Sequence, residues 1–269
     1  MLCACSTASS LRGAATRANR ALAAIKKLFA WYLDGGAIET NPIAGLKPPS
    51  KEISRDRVLS ELEIRKCWAA AEIEDWPFRQ FVKVLMLTAQ RRGEVAEMKW
   101  SEIDFDAAIW TIPAARAKNG TAHNVPLAPI TLEILASTPR IAGSEFVFTT
   151  TGRSPISGFG RLKDRLNRVV CGEEWRLHDL RRTAATNMAM LGVQPHIVEA
   201  VLNHRTGIIS GVAAVYNRHA YIREKQEALF QWAEYLTSLR NKRPIHKQPE
   251  MPSSAFGAES KNIVMIDHL

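Results

Sequence analysis

No run in this 269-residue chain reaches the roughly 18 apolar residues that a membrane-spanning helix needs, so no transmembrane helix is expected. Cysteine is scarce: Cys3, Cys5, Cys67 and Cys171 form no CxxC pair and no regular framework, which argues against a disulfide scaffold or a zinc ribbon. That usage fits a reducing, cytosolic compartment. Histidine metal motifs are missing too. His178, His196, His204 and His219 make no HxxxH or HExxH pattern and have no cysteine at ligand spacing. There is no GxxxxGK[ST] loop, so ATP use has no support. The expectation is a protein without metal or cofactor.

What is present is positive charge. Lys and Arg total 36 against 27 acids, a net +9, and a surplus of that size favours a polyanionic partner, most commonly nucleic acid. At 46% hydrophobic and 23% charged, the chain can bury a sizeable core. Its length allows one large or two ordinary domains. Met1 to Arg20 is rich in Ala, Ser and Arg and has no acid, but it runs directly into an amphipathic helix and reads as part of it rather than as a transit peptide.

Leu22, Ile25, Phe29 and Leu33 recur at helical spacing from about Ala14, and Gly35-Gly36 stops that helix. Pro48-Pro49 and mixed charges mark a linker, so residues 1–48 form a small all-α unit, 49–58 a linker and 59–240 a larger unit. Ser60 and Glu63 make a capping box. Helices are predicted over Phe78–Leu87, Gly93–Trp100, Ile130–Ser137, Phe159–Val170, Asp179–Leu191, Pro195–Leu202, Val212–Tyr216 and Ile222–Leu239. Ile103, Phe105, Ile109, Trp110 and Ile112 read as strand, Lys118-Asn119-Gly120 as a hairpin turn, Val125 and Leu127 as its return, and Glu145–Thr149 as one more short strand. The class is α+β: mostly helical with a small antiparallel sheet, preceded by a helical unit. From Asn241 the chain is polar and aperiodic, and residues 241–269 are expected to be a disordered tail.

Four places carry candidate chemistry. Arg91 follows an apolar helix, where its planar fork suits a phosphate, with Glu94 three residues on to orient it. Lys118 sits on the turn. His178 and Arg181, at i and i+3, share a helix face. His204 ends an apolar helix, and Tyr216 lies twelve residues further. Taken singly, each has a bland alternative: a helix-end arginine, a cationic histidine at a helix C-terminus, a core tyrosine.

Their order changes the reading. TAQRRGEVAEMKWSEID, RLHDLRRTAATNMAMLG and VLNHRTGIISGVAAVYNRH resemble, in sequence, the first arginine motif, the HxxR motif and the closing motif of the tyrosine recombinase (phage integrase) family, over roughly Ser60 to Leu239. The resemblance implies that 59–240 is a catalytic domain and 1–48 the last part of a helical core-binding domain. It implies Arg91 and Arg181 as clamps on a scissile phosphate and Lys118 as proton donor to the leaving 5′ oxygen. His178 and His204 would be supporting groups, Tyr216 the nucleophile and Glu94 the buttress of Arg91. The activity implied is integration or excision of a prophage or mobile element through a 3′-phosphotyrosine. The partners implied are double-stranded DNA at attachment sites, a homotetramer in the synaptic complex, and accessory DNA-bending proteins. Two relatives of that reading are a recombination-deficient remnant, favoured by the short first unit, and a type IB topoisomerase. One departure from the family pattern is Asn203, where glycine is common; Asn tolerates left-handed geometry and is expected to serve.

Overall fold

The computed structural model describes residues 6–51, 56–204 and 221–241, with side chains from residue 15 onward. The chain divides into two compact units, 1–56 and 57–269.

The first unit is built on helix α1, Ser6–Asp34. It starts at Ser6, earlier than the Ala14 expected from the apolar periodicity, which begins only at Leu22. It ends where the sequence places its glycines. Gly36 takes φ +68°, the Gly36 N–H donates to Leu33 C=O at 3.0 Å, and the Ala37 N–H donates to Tyr32 C=O at 2.9 Å. These two hydrogen bonds close the helix end around a left-handed residue. The return segment is held by buried Asn19, whose amide donates to Ser50 C=O at 2.8 Å and accepts the Ser50 N–H at 3.2 Å.

The second unit opens with the Leu59 N–H on Thr183 Oγ1 at 2.9 Å, then the Ser60–Glu63 capping box that starts α2, Glu61–Ile73. Helix α3, Phe78–Thr88, is the centre of the core: Phe81, Val82, Val84, Leu85, Met86 and Leu87 are all buried. Helix α4 is only Arg92–Ala96. The helix expected to run on to Trp100 stops because the backbone turns extended at Lys99. There Trp100 N–H donates to Glu145 C=O and Val147 N–H to Met98 C=O, followed by a 3-10 turn at Trp100–Glu102. The same pairing corrects Glu145–Thr149: it is a single bridge, Lys99 to Phe146, not a strand.

The sheet is antiparallel in order β1 (Ile103–Asp104), β2 (Ile109–Ile112), β3 (His123–Pro126), with Trp110 opposite Val125 and Ile112 opposite His123. Lys118-Asn119-Gly120 is not a tight hairpin. Pro113, with no N–H to give a ladder, follows β2, and a ten-residue loop 113–122 carries the turn at its tip. There Gly120 N–H donates to Ala117 C=O at 2.9 Å, and Gly120, not Asn119, takes positive φ. Around α3 and the sheet stand α5 (Pro129–Ala136), α6 (Phe159–Val170), α7 (Leu177–Met190), α8 (Pro195–Val201) and α9 (Ile222–Asn241). α9 is pinned to α3 by Trp232, buried, whose indole N–H donates to Met86 C=O at 2.8 Å. Among the described residues no helix is long and apolar enough to cross a membrane. The predicted helix Val212–Tyr216 and the tail beyond Asn241 lie outside the described residues.

Candidate active site

The last carbonyls of a helix have no intrahelical donor and carry the negative end of its dipole. In α8 this end is closed by Asn203 in left-handed conformation, φ +49°. Asn203 N–H donates to Ala200 C=O at 3.3 Å and His204 N–H to Glu199 C=O at 3.0 Å. The expectation that Asn could fill a left-handed position holds. The carbonyls of residues 201 to 203 then face outward and gather side chains from four other segments.

Arg181, 3% exposed on α7, is the most enclosed of these. Its Nη2 donates to Leu202 C=O in a short contact, and its Nη1 donates to Ala89 C=O at 2.7 Å. Ala89 is itself the left-handed cap of α3. The guanidinium thus bridges two helix C-termini. Gln90 fastens the same ends: its amide donates to Thr88 C=O and to Val201 C=O, each at 2.9 Å. Arg181 Nε is buried and has no hydrogen-bond partner among the described residues.

Arg91 caps the start of α4. Buried Glu94 accepts its backbone N–H at 3.1 Å and its Nη1 at 2.8 Å, and Arg91 Nη2 reaches Asn203 C=O at 3.5 Å. A carboxylate at the first turn both caps the helix and aims the fork. Arg91 and Arg181 come from segments 90 residues apart yet sit close enough to repel. Burial first, and then Arg91, lower the Arg181 pKa to about 10, with Glu94 and Glu199 opposing. It remains cationic at neutral pH.

The histidines flank this pair. His178, exposed on the first turn of α7, has its pKa lowered by desolvation and then by Arg181 and Arg182. His204 has its Nδ1 3.2 Å from Glu199 Oε2; desolvation and Arg181 lower its pKa while Glu199 works against them. Both imidazoles are therefore neutral near pH 7 and able to accept a proton.

Lys118 is exposed at the tip of the 113–122 loop. Its neighbour Asn119 ties that tip to α8: Asn119 Nδ2 donates to Asn203 Oδ1 at 2.7 Å, and Asn203 Nδ2 donates back to Asn119 Oδ1 at 3.3 Å. The fold thus assembles Arg91, Glu94, Arg181, His178 and His204 around one helix end, with the Lys118 loop fastened beside them. Tyr216 lies outside the described residues.

Three participants escape single-residue reading. Gln90 and Asn119 adjoin residues already singled out, but only the fold shows what they hold. His123 on β3 is 5% exposed, with Nε2 at 3.1 Å from Val201 C=O. Burial, then Lys225, lower its pKa to about 3. Lys225, buried on α9, donates to Asn124 C=O at 2.6 Å, and burial lowers its pKa to about 8. Among the described residues no group of three or more His, Cys, Asp or Glu is placed to hold a metal ion.

The family model described as the phage integrase family matches residues 57–223. The chain belongs to the phage integrase family. Among curated relatives, Prophage integrase IntA of Escherichia coli (strain K12) is 35% identical over 152 residues, 55% of this chain and 36% of that protein. The integrase of Shigella phage Sf6 is 28% identical over 233 residues, 84% of this chain and 60% of that protein. The chain thus spans between about a third and three fifths of the length of these relatives. Two solved structures share the fold. A lambda integrase fragment in a dimer bound to a COC′ core site has TM-score 0.57 at 23% identity, covering 74% of this chain and 76% of that one. A lambda integrase tetramer bound to a Holliday junction has TM-score 0.57 at 24% identity, covering 74% of this chain and 62% of that one. The expected α+β class, mostly helical with a small antiparallel sheet, is the class observed.

Proposed function

We propose that this chain is the catalytic part of a site-specific DNA recombinase that cuts and rejoins DNA through a 3′-phosphotyrosine on Tyr216. The observation that carries the reading is the convergence of Arg91 and Arg181. Two like charges are brought together and held by dedicated carboxylate and carbonyl partners. Such an arrangement is uphill until an anion enters, and a phosphodiester is the anion this family acts on.

In this reading Arg91 and Arg181 bind the non-bridging oxygens and offset the charge that builds on them in the transition state. Removing such an electrostatic donor costs on the order of a hundredfold or more in rate. Tyr216 attacks phosphorus; an O–P bond to tyrosine forms as the P–O5′ bond breaks. The tyrosine proton passes to a neutral imidazole, His178 being the candidate, and the Lys118 ammonium gives a proton to the 5′ oxygen. His204 supports the phosphate, and Glu94 aims Arg91. Rejoining reverses these steps, so the phosphodiester energy is conserved without ATP.

Residues 59–240 form the catalytic domain of this proposal and 1–48 a segment of the core-binding domain. The partners are double-stranded DNA at attachment sites and three further copies of the chain, the latter by analogy with the lambda integrase tetramer on a Holliday junction. Accessory DNA-bending proteins belong to the same proposal, which sets the protein to work in the bacterial cytoplasm or nucleoid. The test uses nicked suicide substrates made from DNA flanking the gene, read on a denaturing gel. A covalent protein–DNA band with wild type, absent with Tyr216→Phe, is expected. A band that survives Tyr216→Phe contradicts the assignment.

A further inference from the structure

The Asn119–Asn203 pair is the feature the proposed chemistry leaves unused. Asn203 needs only a left-handed backbone to close α8, and glycine adopts φ +49° with less strain than any side-chain-bearing residue. Its side chain nonetheless meets Asn119 in a reciprocal amide pair at 2.7 and 3.3 Å, across 84 residues of sequence. Asn119 Nδ2 also reaches Asn203 C=O at 3.4 Å, the same carbonyl that Arg91 Nη2 approaches at 3.5 Å. The loop has a separate anchor nearer its start. There Arg116 donates Nε to Glu102 Oε1 at 3.0 Å and Nη1 to Glu94 C=O at 3.3 Å. The tip that bears Lys118 is carried to the arginine pair by Asn119.

We infer that the Asn119–Asn203 pair is a latch that positions Lys118 against the arginine-bound phosphate, and that Asn119 and Asn203 are positioning residues for delivery of its proton to the leaving 5′ oxygen. The inference rests on the proposed function, since it takes Lys118 as the acid. A flexible lysine at the tip of a ten-residue loop loses rate unless the loop is held. Small misplacements of a catalytic group cost on the order of a hundredfold, and an untethered tip samples many positions. An amide pair suits the task because each side chain donates and accepts at once, fixing distance and direction together. It also ties the lysine to the residue that shares a carbonyl with Arg91, so acid and clamp move as one body.

Two measurements on the full chain test this. The first is hydrogen exchange without DNA. Asn203→Gly retains the left-handed cap and the Asn203 carbonyl, so α8 and the Arg91 contact survive. Exchange in peptides spanning 117–122 is expected to rise by about tenfold, while those over 177–190 stay unchanged. Unchanged exchange at 117–122 overturns the latch whether or not the chain cleaves DNA.

The second compares suicide substrates with oxygen or sulfur bridging at the 5′ position of the scissile phosphate. A thiol ionises near about 8.5, so a thiolate leaves without a proton, whereas water and alcohols ionise near about 15.7 and need one. Asn203→Gly, Asn119→Ala and the double variant are each expected to lose about tenfold or more on the oxygen substrate and little on the sulfur one. The double variant should be no worse than either single change. Equal losses on both substrates, or none, overturn the latch. Lys118→Ala separates the two readings. If sulfur rescues Lys118→Ala but not the asparagine variants, only the latch fails. If sulfur does not rescue Lys118→Ala, the assignment of Lys118 fails and the latch with it.

Discussion

In the proposed function Arg181 serves fold and chemistry together. Its guanidinium joins Ala89 C=O to Leu202 C=O, the ends of two helices, before any phosphate arrives. Lysine cannot reproduce that fork, since a single ammonium does not span both carbonyls along fixed directions. Arg181→Lys is therefore expected to lower stability by about 1–3 kcal/mol in urea denaturation, besides suppressing covalent complex formation. A variant as stable as wild type would show that the bridge is incidental. His123 makes a second residue-scale prediction. Its folded pKa of about 3 lies below the ordinary histidine value because burial disfavours the cation. The unfolded chain consequently binds the proton first as pH falls. Stability attributable to neutral His123 is full above about pH 6.5 and declines below it, by up to about 1.4 kcal/mol per pH unit. Urea midpoints at pH 7, 6 and 5 should fall more steeply for wild type than for His123→Asn. Parallel slopes would remove His123 as the cause.

Among elements, α3 and α9 carry the site from behind. Trp232 of α9 is buried and bonds to Met86 C=O in the buried C-terminal half of α3, whose terminal carbonyls hold Arg181 and Gln90. Trp232→Ala leaves a cavity and an unpaired carbonyl, and is expected to cost about 3–5 kcal/mol by chemical denaturation. A loss under about 1 kcal/mol would mean α9 is not part of the core. Elements were the most legible level of the sequence. Phe159–Val170 matches its helix end for end, and Ser60–Glu63 and Gly36 act as the caps they resemble. Two of the failures share one cause. Glu145–Thr149 and the end of the Gly93–Trp100 helix are decided by each other, through bonds spanning some 45 residues that local periodicity does not encode. The Asn-Gly pair read as a tight hairpin because dipeptide chemistry says nothing of Pro113 ending the ladder early. The site shows the same division. Arg91, Lys118, His178, Arg181 and His204 were visible as residues because their order matches known motifs. The carbonyl cluster at the end of α8 was not, because backbone acceptors carry no side-chain signature.

For the whole molecule, the net charge of +9 bears on how the proposed DNA partner would be approached. Phosphate neutralisation releases counterions, so affinity for core-site DNA should fall steeply with salt. With 6–10 phosphate contacts the loss is about 10³–10⁵ between 50 and 200 mM. Gel-shift titrations across that range check it, and a flat response would mean the basic surplus does not face DNA. The central claim is narrower: Arg91 and Arg181 converge to neutralise one phosphate. The most direct measurement replaces the scissile phosphate of the suicide substrate with an uncharged methylphosphonate and compares wild type with Arg91→Ala. On the charged substrate the variant should lose on the order of a hundredfold or more in covalent complex formation. On the neutral one, where there is less charge to offset, the deficit should shrink to about tenfold or less. An equal deficit on both substrates would contradict the account, because Arg91 would then be holding something other than the charge of the scissile phosphate.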